Sequence, residues 1–278
     1  MPDTSRPPTP LPIKRELRQL AGFGCCKCGI PILQYHHIVP YSVEKHFRVK
    51  DMMALCPYCH DMATKHILTI EQQRYLQVNP YNMLKGFASG RLILNGSYCA
   101  IQTGGVFIVT QGPILSIDGN TLLSLSVGPT NQLEVSVNLY DKKDRLVAVI
   151  DKNEWISGDV KLWDIQADHQ KLVINKTHGQ IELEINTQGN IILIKAKLWY
   201  NKQSIRLNST GLYFNGPANN ITVKDLGFVN QRFDIDTQNK TVKITPNVAN
   251  GIIVSEYDPK LRLQKSIDAW NANFAKLV

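Results

Sequence analysis

A chain of 278 residues, 43% hydrophobic and 19% charged, can bury one large or two ordinary cores, which excludes wholesale disorder. Its longest apolar runs, such as Ile191-Ile192-Leu193-Ile194, fall far short of a membrane span, and its first residues hold no apolar stretch of the signal-peptide kind. A cytoplasmic protein with reduced thiols and no membrane partner is therefore expected. The net charge of +8 is densest at the front, where residues 1–90 hold 11 Lys/Arg against 6 Asp/Glu and the remainder holds 20 against 17. That balance suits a phosphate-backbone partner, although by itself it is weak evidence for one.

Residues 1–12 carry five prolines and no apolar periodicity, and read as a disordered lead. Residues 13–21 place Ile13, Leu17 and Leu20 on one face of a short amphipathic helix. The charged face, Lys14, Arg15 and Arg18, is open to two readings, a phosphate contact or a plain solvated surface. A chemistry-bearing module over residues 13–70 is followed by a partly helical connector, 71–90, interrupted by Pro80 and Gly86.

From about residue 91 the texture changes. Short runs with apolar–polar alternation (133–139, 181–185) recur between turn signals such as DKKD and NGPANN. They predict an all-β domain over 91–260, with a sandwich ranked ahead of a solenoid or barrel. Trp155 and Trp163 are expected to anchor its core, and Leu263, Ile267, Trp270 and Phe274 fit a C-terminal helix within 261–278. The fold class expected is thus α+β: a small N-terminal module and a larger all-β domain. His169 and His178 lack partner ligands nearby, so no second catalytic constellation is expected there.

Five of the six cysteines lie between Cys25 and Cys59, with only Cys99 outside. Such clustering in a chain without a secretory leader reads as metal binding rather than as a disulfide framework. Cys25-x2-Cys28 and Cys56-x2-Cys59 are two knuckles with 27 residues between them. Each can turn both sulfurs toward one ion, and the two together complete a closed tetrahedral structural Zn2+ site. Cys26 is read as a bystander. A closed zinc site should staple the module and make its folding metal-dependent.

Between and beside the knuckles stand Tyr35-His36-His37-Ile38-Val39-Pro40 and Asp51-Met52-Met53-Ala54-Leu55-Cys56-Pro57-Tyr58-Cys59-His60. This arrangement, over about residues 17–68, resembles the HNH endonucleases of the ββα-metal group, zinc-knuckle branch. His37 stands 14 positions before Asp51, and His60 nine after it, both in the family's register. The resemblance implies a ββα-metal fold and hydrolysis of DNA phosphodiester bonds, with double-stranded DNA as partner. It assigns His37 as general base, and His36 and His60 as ligands of a catalytic divalent ion (Mg2+, Mn2+, Ni2+ or Zn2+). Asp51 stands where the family carries the asparagine that holds the loop and orients the base. Its carboxylate is expected to accept the same backbone hydrogen bonds and to retune activity.

Because consecutive strand residues face opposite ways, either an irregular strand end at His36–His37 or a phosphate lying between the two rings is expected. His46 and His66 are read as structural. Lys65, Arg48 and Lys50 are each divided between phosphate contact and solvated charge. The β domain is assigned to targeting, oligomerisation (a homo-oligomer or a protein partner) or regulation. The competing reading is a catalytically weak or inactive zinc module that binds nucleic acid or protein.

Overall fold

The computed structural model describes residues 7–94, 100–129, 132–157, 162–177, 180–188, 191–216, 220–248 and 250–274. The chain divides into two compact units, the first formed by residues 1–90, 156–168 and 175–178, the second by 91–155, 169–174 and 179–278. Cys99, His178 and the ends of the expected lead and C-terminal helix (1–6 and 275–278) lie outside the described residues.

The first unit begins with α1 (Leu11–Leu20), capped by Pro10 and carrying Pro12 in its first turn, where a missing N–H costs nothing. It then runs β1 (Gln34–His37), a 3-10 turn (Val49–Asp51), β2 (Met52–Leu55), α2 (Pro57–Thr64), α3 (Ile70–Val78) and α4 (Tyr81–Lys85). β1 and β2 are antiparallel, in register from Gln34↔Leu55 to His37↔Met52. All four β2 residues are buried, so this strand is covered on both faces. α2 follows β2 without a loop, because Cys56 serves as its N-cap and Pro57 as its first residue.

The basic face of α1 turns inward, which removes Arg15 and Arg18 as free phosphate contacts or a solvated surface. Arg18 grips Asp164 with Nε at 2.8 Å and Nη2 at 2.6 Å, and donates from Nη1 to the Tyr35 hydroxyl at 2.6 Å. The Arg15 guanidinium stacks 3.8 Å from the centre of the Trp163 ring, and Gln19 donates to the Trp163 carbonyl. Segment 156–168 is thereby a strap of the first unit, although 65 residues of the second unit (91–155) precede it in the chain.

The second unit holds two sheets. One includes, in spatial order, Thr241–Pro246, Gln231–Asp236, Gly112–Ile117, Asn120–Val127, Leu133–Tyr140 and Leu146–Asp151. The other includes Gln180–Gln188, Ile191–Tyr200, Ala100–Thr103, Val106–Val109, Gly227–Val229 and Ile252–Val254, with Gln203–Asn208, Gly211–Asn215 and Ile221–Val223 branching from Ile191–Tyr200. Phe233 of the first sheet meets Phe214 and Phe228 of the second at 5.4 and 5.0 Å between ring centres, so the two faces pack as a sandwich, and no barrel closes.

Two strands turn from one sheet to the other at a common corner. Val106–Val109 passes to Gly112–Ile117, and Gly227–Val229 passes to Gln231–Asp236 beside it in parallel. The bends need positive φ, at Gly112 (99°) and Asn230 (55°), residue types that tolerate it. Asn247, just past strand Thr241–Pro246, donates to Thr110 Oγ1 at 2.8 Å and to the Pro113 carbonyl at 2.9 Å, pinning the corner. The C-terminal helix α5 (Pro259–Asn273) packs Ile267, Trp270 and Phe274 onto Ala100, Val109 and Val229. Trp155 is buried, as expected, whereas Trp163 is half-buried on the strap.

Two substitutions test these contacts. Phe233→Ala should destabilise the sandwich by about 3–5 kcal/mol, read as a lower urea midpoint. Asp164→Ala leaves the Arg18 guanidinium, only 11% exposed, without its carboxylate. It should destabilise the first unit by about 3 kcal/mol, measured by the thermal release of zinc.

Candidate active site

The site is built on the two cysteine knuckles. Cys25, Cys28, Cys56 and Cys59 bring their sulfurs within 4.8 Å of one another, with Cys28 Sγ 3.7 Å from Cys56 Sγ and 3.9 Å from Cys59 Sγ. Four sulfurs about 2.3 Å from a central zinc sit roughly 3.8 Å apart, so the spacing fits that ion, and all four thiols are free of disulfides. Burial pushes Cys28 up to about 11 and raises Cys59 as well, while a hydrogen bond from the Cys59 amide, at the N-terminus of α2, lowers Cys56 against its burial. A divalent cation offsets the burial that disfavours these thiolates. Cys26 points into the core, where burial pushes its thiol up to about 12; it is a small hydrophobe, not a ligand.

The first knuckle needs Gly29 at φ +79°, and Asn82 of α4 locks it by donating to the carbonyls of Gly22 and Gly29 at 2.9 and 3.5 Å. The second places His60 directly after its last cysteine, on the first turn of α2.

There the His60 ring meets His36 of β1, with centroids 5.0 Å apart at 86°. Two imidazoles binding one ion through nitrogens at about 2.1 Å have centres about 4.5–5.2 Å apart, so the pair fits a shared divalent ion. The β1 ladder is regular through His37, so the irregular strand end considered from the sequence does not occur. His36 faces α2 and α3, and His37 faces the loop after β1. The His37 Nε2 donates to the His46 carbonyl at 2.9 Å, and its ring, 6% exposed, packs against Tyr41, His46 and Phe47 at 5.5, 5.1 and 5.8 Å. His46 is structural in kind but belongs to the site: its own ring spans the loop, from the Val39 carbonyl to the Arg48 amide.

Helix α3, within the stretch read from the sequence as a connector, supports the site with three side chains. The Gln73 Nε2 donates to the Leu68 carbonyl at 2.8 Å, so its Oε1 accepts from His36 Nε2 at 3.1 Å. Arg74 donates to the Lys50 carbonyl and to Asp51 Oδ1, and Gln77 donates to the carbonyls of Val49, Lys50 and Met52. Sequence reasoning missed all three, since glutamine and arginine on a helix ordinarily read as a solvated face.

Asp51 corrects the expectation placed on it. Among the described residues its carboxylate accepts no backbone hydrogen bond, and it lies between Arg74 and Arg48, each at 2.8 Å. The Arg74 and Arg48 guanidinium groups hold its pKa down to about 2, and they offset its charge. Arg48 also pairs with Glu44 and Lys65 with Asp61, so neither is an uncommitted cation. His66 follows Lys65, the C-cap of α2, with φ 57°, and His169 is exposed.

Purified protein should carry one zinc per chain. Cys25→Ser or Cys56→Ser should abolish it and unfold the first unit, whereas Cys26→Ser should leave zinc content unchanged, as measured by atomic emission and circular dichroism.

No curated protein and no solved structure matches the chain. A family model described as HNH endonuclease matches residues 25–66, the span that holds both knuckles, β1, β2, α2 and the three histidines. Over residues 25–66, then, the chain carries a domain of the HNH endonuclease family, a nuclease-type and metal-dependent class.

Proposed function

We propose that the first unit is an active endonuclease that hydrolyses DNA phosphodiester bonds. One observation carries this reading: His36 and His60, brought from a strand and a helix, meet at 5.0 Å beside a His37 whose Nε2 is committed to a carbonyl. His36 and His60 would hold the divalent ion, which when bound supplies Lewis acidity at the scissile phosphate and the departing 3′ oxygen. Two imidazoles make a softer site than carboxylate ligands, so Mn2+, Ni2+ or Zn2+ suits it as well as Mg2+.

His37 performs the proton chemistry. With Nε2–H donating to the His46 carbonyl, the neutral ring carries its lone pair on Nδ1, and that atom takes the proton of the attacking water. The water oxygen bonds to phosphorus as the bond to the 3′ oxygen breaks, and the departing oxygen takes a proton from solvent, leaving 5′-phosphate and 3′-hydroxyl ends. Tyr41 and Phe47 hold the ring in place and keep bulk water from it. Gln73 plays a positioning part: by accepting from His36 Nε2–H it leaves Nδ1 as the ligating atom. The Arg74–Asp51–Arg48 bridge fixes the loop between base and zinc knuckle, which keeps the domain workable with Asp in the asparagine position. A reducing compartment such as the cytoplasm suits the four zinc thiolates.

Plasmid cleavage should appear with Mg2+, Mn2+, Ni2+ or Zn2+ and fall at least ~100-fold in His37→Ala, with zinc content intact. Gln73→Leu should keep the structural zinc but require roughly 10–100-fold more divalent metal for half-maximal rate. Undiminished cleavage by His37→Ala overturns the mechanism, and DNA binding without cleavage under every metal leaves the non-catalytic zinc module in its place.

A further inference from the structure

The outward face of the second sheet, over strands Ile191–Tyr200, Gln203–Asn208 and Gly211–Asn215, gathers cations around two aromatic rings. Lys142 and Lys197 each bring Nζ to 5.5 Å from the Trp199 ring centre. Arg206 and Lys224 stand 4.9 and 6.0 Å from the Tyr213 ring centre. Lys197 and Arg206 are direct cross-strand partners, as are Arg206 and Tyr213, and Trp199 follows Lys197 by two positions on the same face. Like charges directly opposite one another destabilise a sheet.

None of the four cations forms an ion pair within 4.0 Å among the described residues; Glu184 pairs with Lys195 and Asp141 with Arg145, and Glu182, one position beyond Leu183↔Ala196 in the ladder, is the carboxylate placed opposite Lys197, so the four cations outnumber it. The rings are half-buried, so each still exposes part of its surface. Cations in excess of carboxylate, set beside exposed aromatic surface, match a phosphate backbone with bases or sugars against the rings.

We propose that this face of the β domain is a DNA-docking surface. The identity of the polymer rests on the DNA-cleaving reading above; the need for a polyanion does not. The face sits on regular strands, so its cations are presented on a fixed frame, and it would supply backbone affinity rather than sequence readout.

The test uses the full zinc-loaded chain and a fluorescent DNA duplex, without added divalent metal so that nothing is cut. Lys142→Gln/Lys197→Gln/Arg206→Gln/Lys224→Gln should weaken binding more than ~10-fold near 0.1 M salt and flatten the slope of log K against log salt by roughly 3–4. Its metal-supported hydrolysis of bis(p-nitrophenyl) phosphate, too small to span the face, should equal that of the wild type. The charge-keeping pair Lys197→Arg/Arg206→Lys should bind as the wild type does. An unchanged salt slope in the four-site variant overturns the proposal, as does a wild type that binds RNA or polyglutamate but not DNA. Failure of the wild type to hydrolyse either substrate counts against the cleavage reading alone, because the binding measurement needs no turnover.

Discussion

Four thiol sulfurs, three of them on buried residues, held within 4.8 Å of one another make a site suited to a bound cation, and the first unit is organised around it. Its apolar core is slight and consists in part of the cysteines themselves, packed with Ala21, Ile38, Met53, Leu55 and Leu68. A core of that size cannot offset the entropy of ordering the chain without an added cross-link. A zinc ion held by the knuckles would supply one, and the knuckles also set geometry. Cys56 begins α2 at the end of β2, so His60 is fixed relative to the strand that pairs with His36 and His37.

A second layer of polar clamps acts on this frame. α3 reaches the site through Gln73, Arg74 and Gln77, touching in turn a ligand candidate, the Asp51 carboxylate and three carbonyls of the loop. The Val49 carbonyl also accepts from the Met52 amide, and the added side-chain donors to the Val49, Lys50 and Met52 carbonyls let an irregular segment hold one shape. The guanidinium pair around Asp51 makes the bridge ionic where an amide would make it neutral.

Legibility in the sequence followed how tightly chemistry restricts residue type. Tetrahedral zinc demands thiolates at knuckle spacing, and the histidine register follows from the strand–helix join, so Cys25 to His60 could be read directly. The β texture was readable from alternation, because period-two burial is local. Gln73, Arg74 and Gln77 were not, since backbone carbonyls accept from any donor at any sequence distance. The same holds for His46, whose contribution to His37 is a main-chain carbonyl. Nor could the corner at Gly112 and Asn230 be foreseen: its parallel pairings join segments more than 100 residues apart, and register at that range is set by packing.

The strap carrying Trp163 and Asp164 has a temporal consequence. Arg18 is made 146 residues before the carboxylate it grips. At 5–20 residues per second, a nascent chain takes roughly 7–30 s to supply that partner. During that interval the knuckles, β1, β2 and α2 are already synthesised, but α1 has nothing to receive Arg18, and Tyr35, next to His36, lacks the finished neighbour that orients it. Completion of the N-terminal fold is therefore deferred until several strands of the sandwich exist. The histidine site is not a cassette that matures first and trails a passenger; its last structural contact is delivered by a strap of its own unit that is synthesised only after residues 91–155.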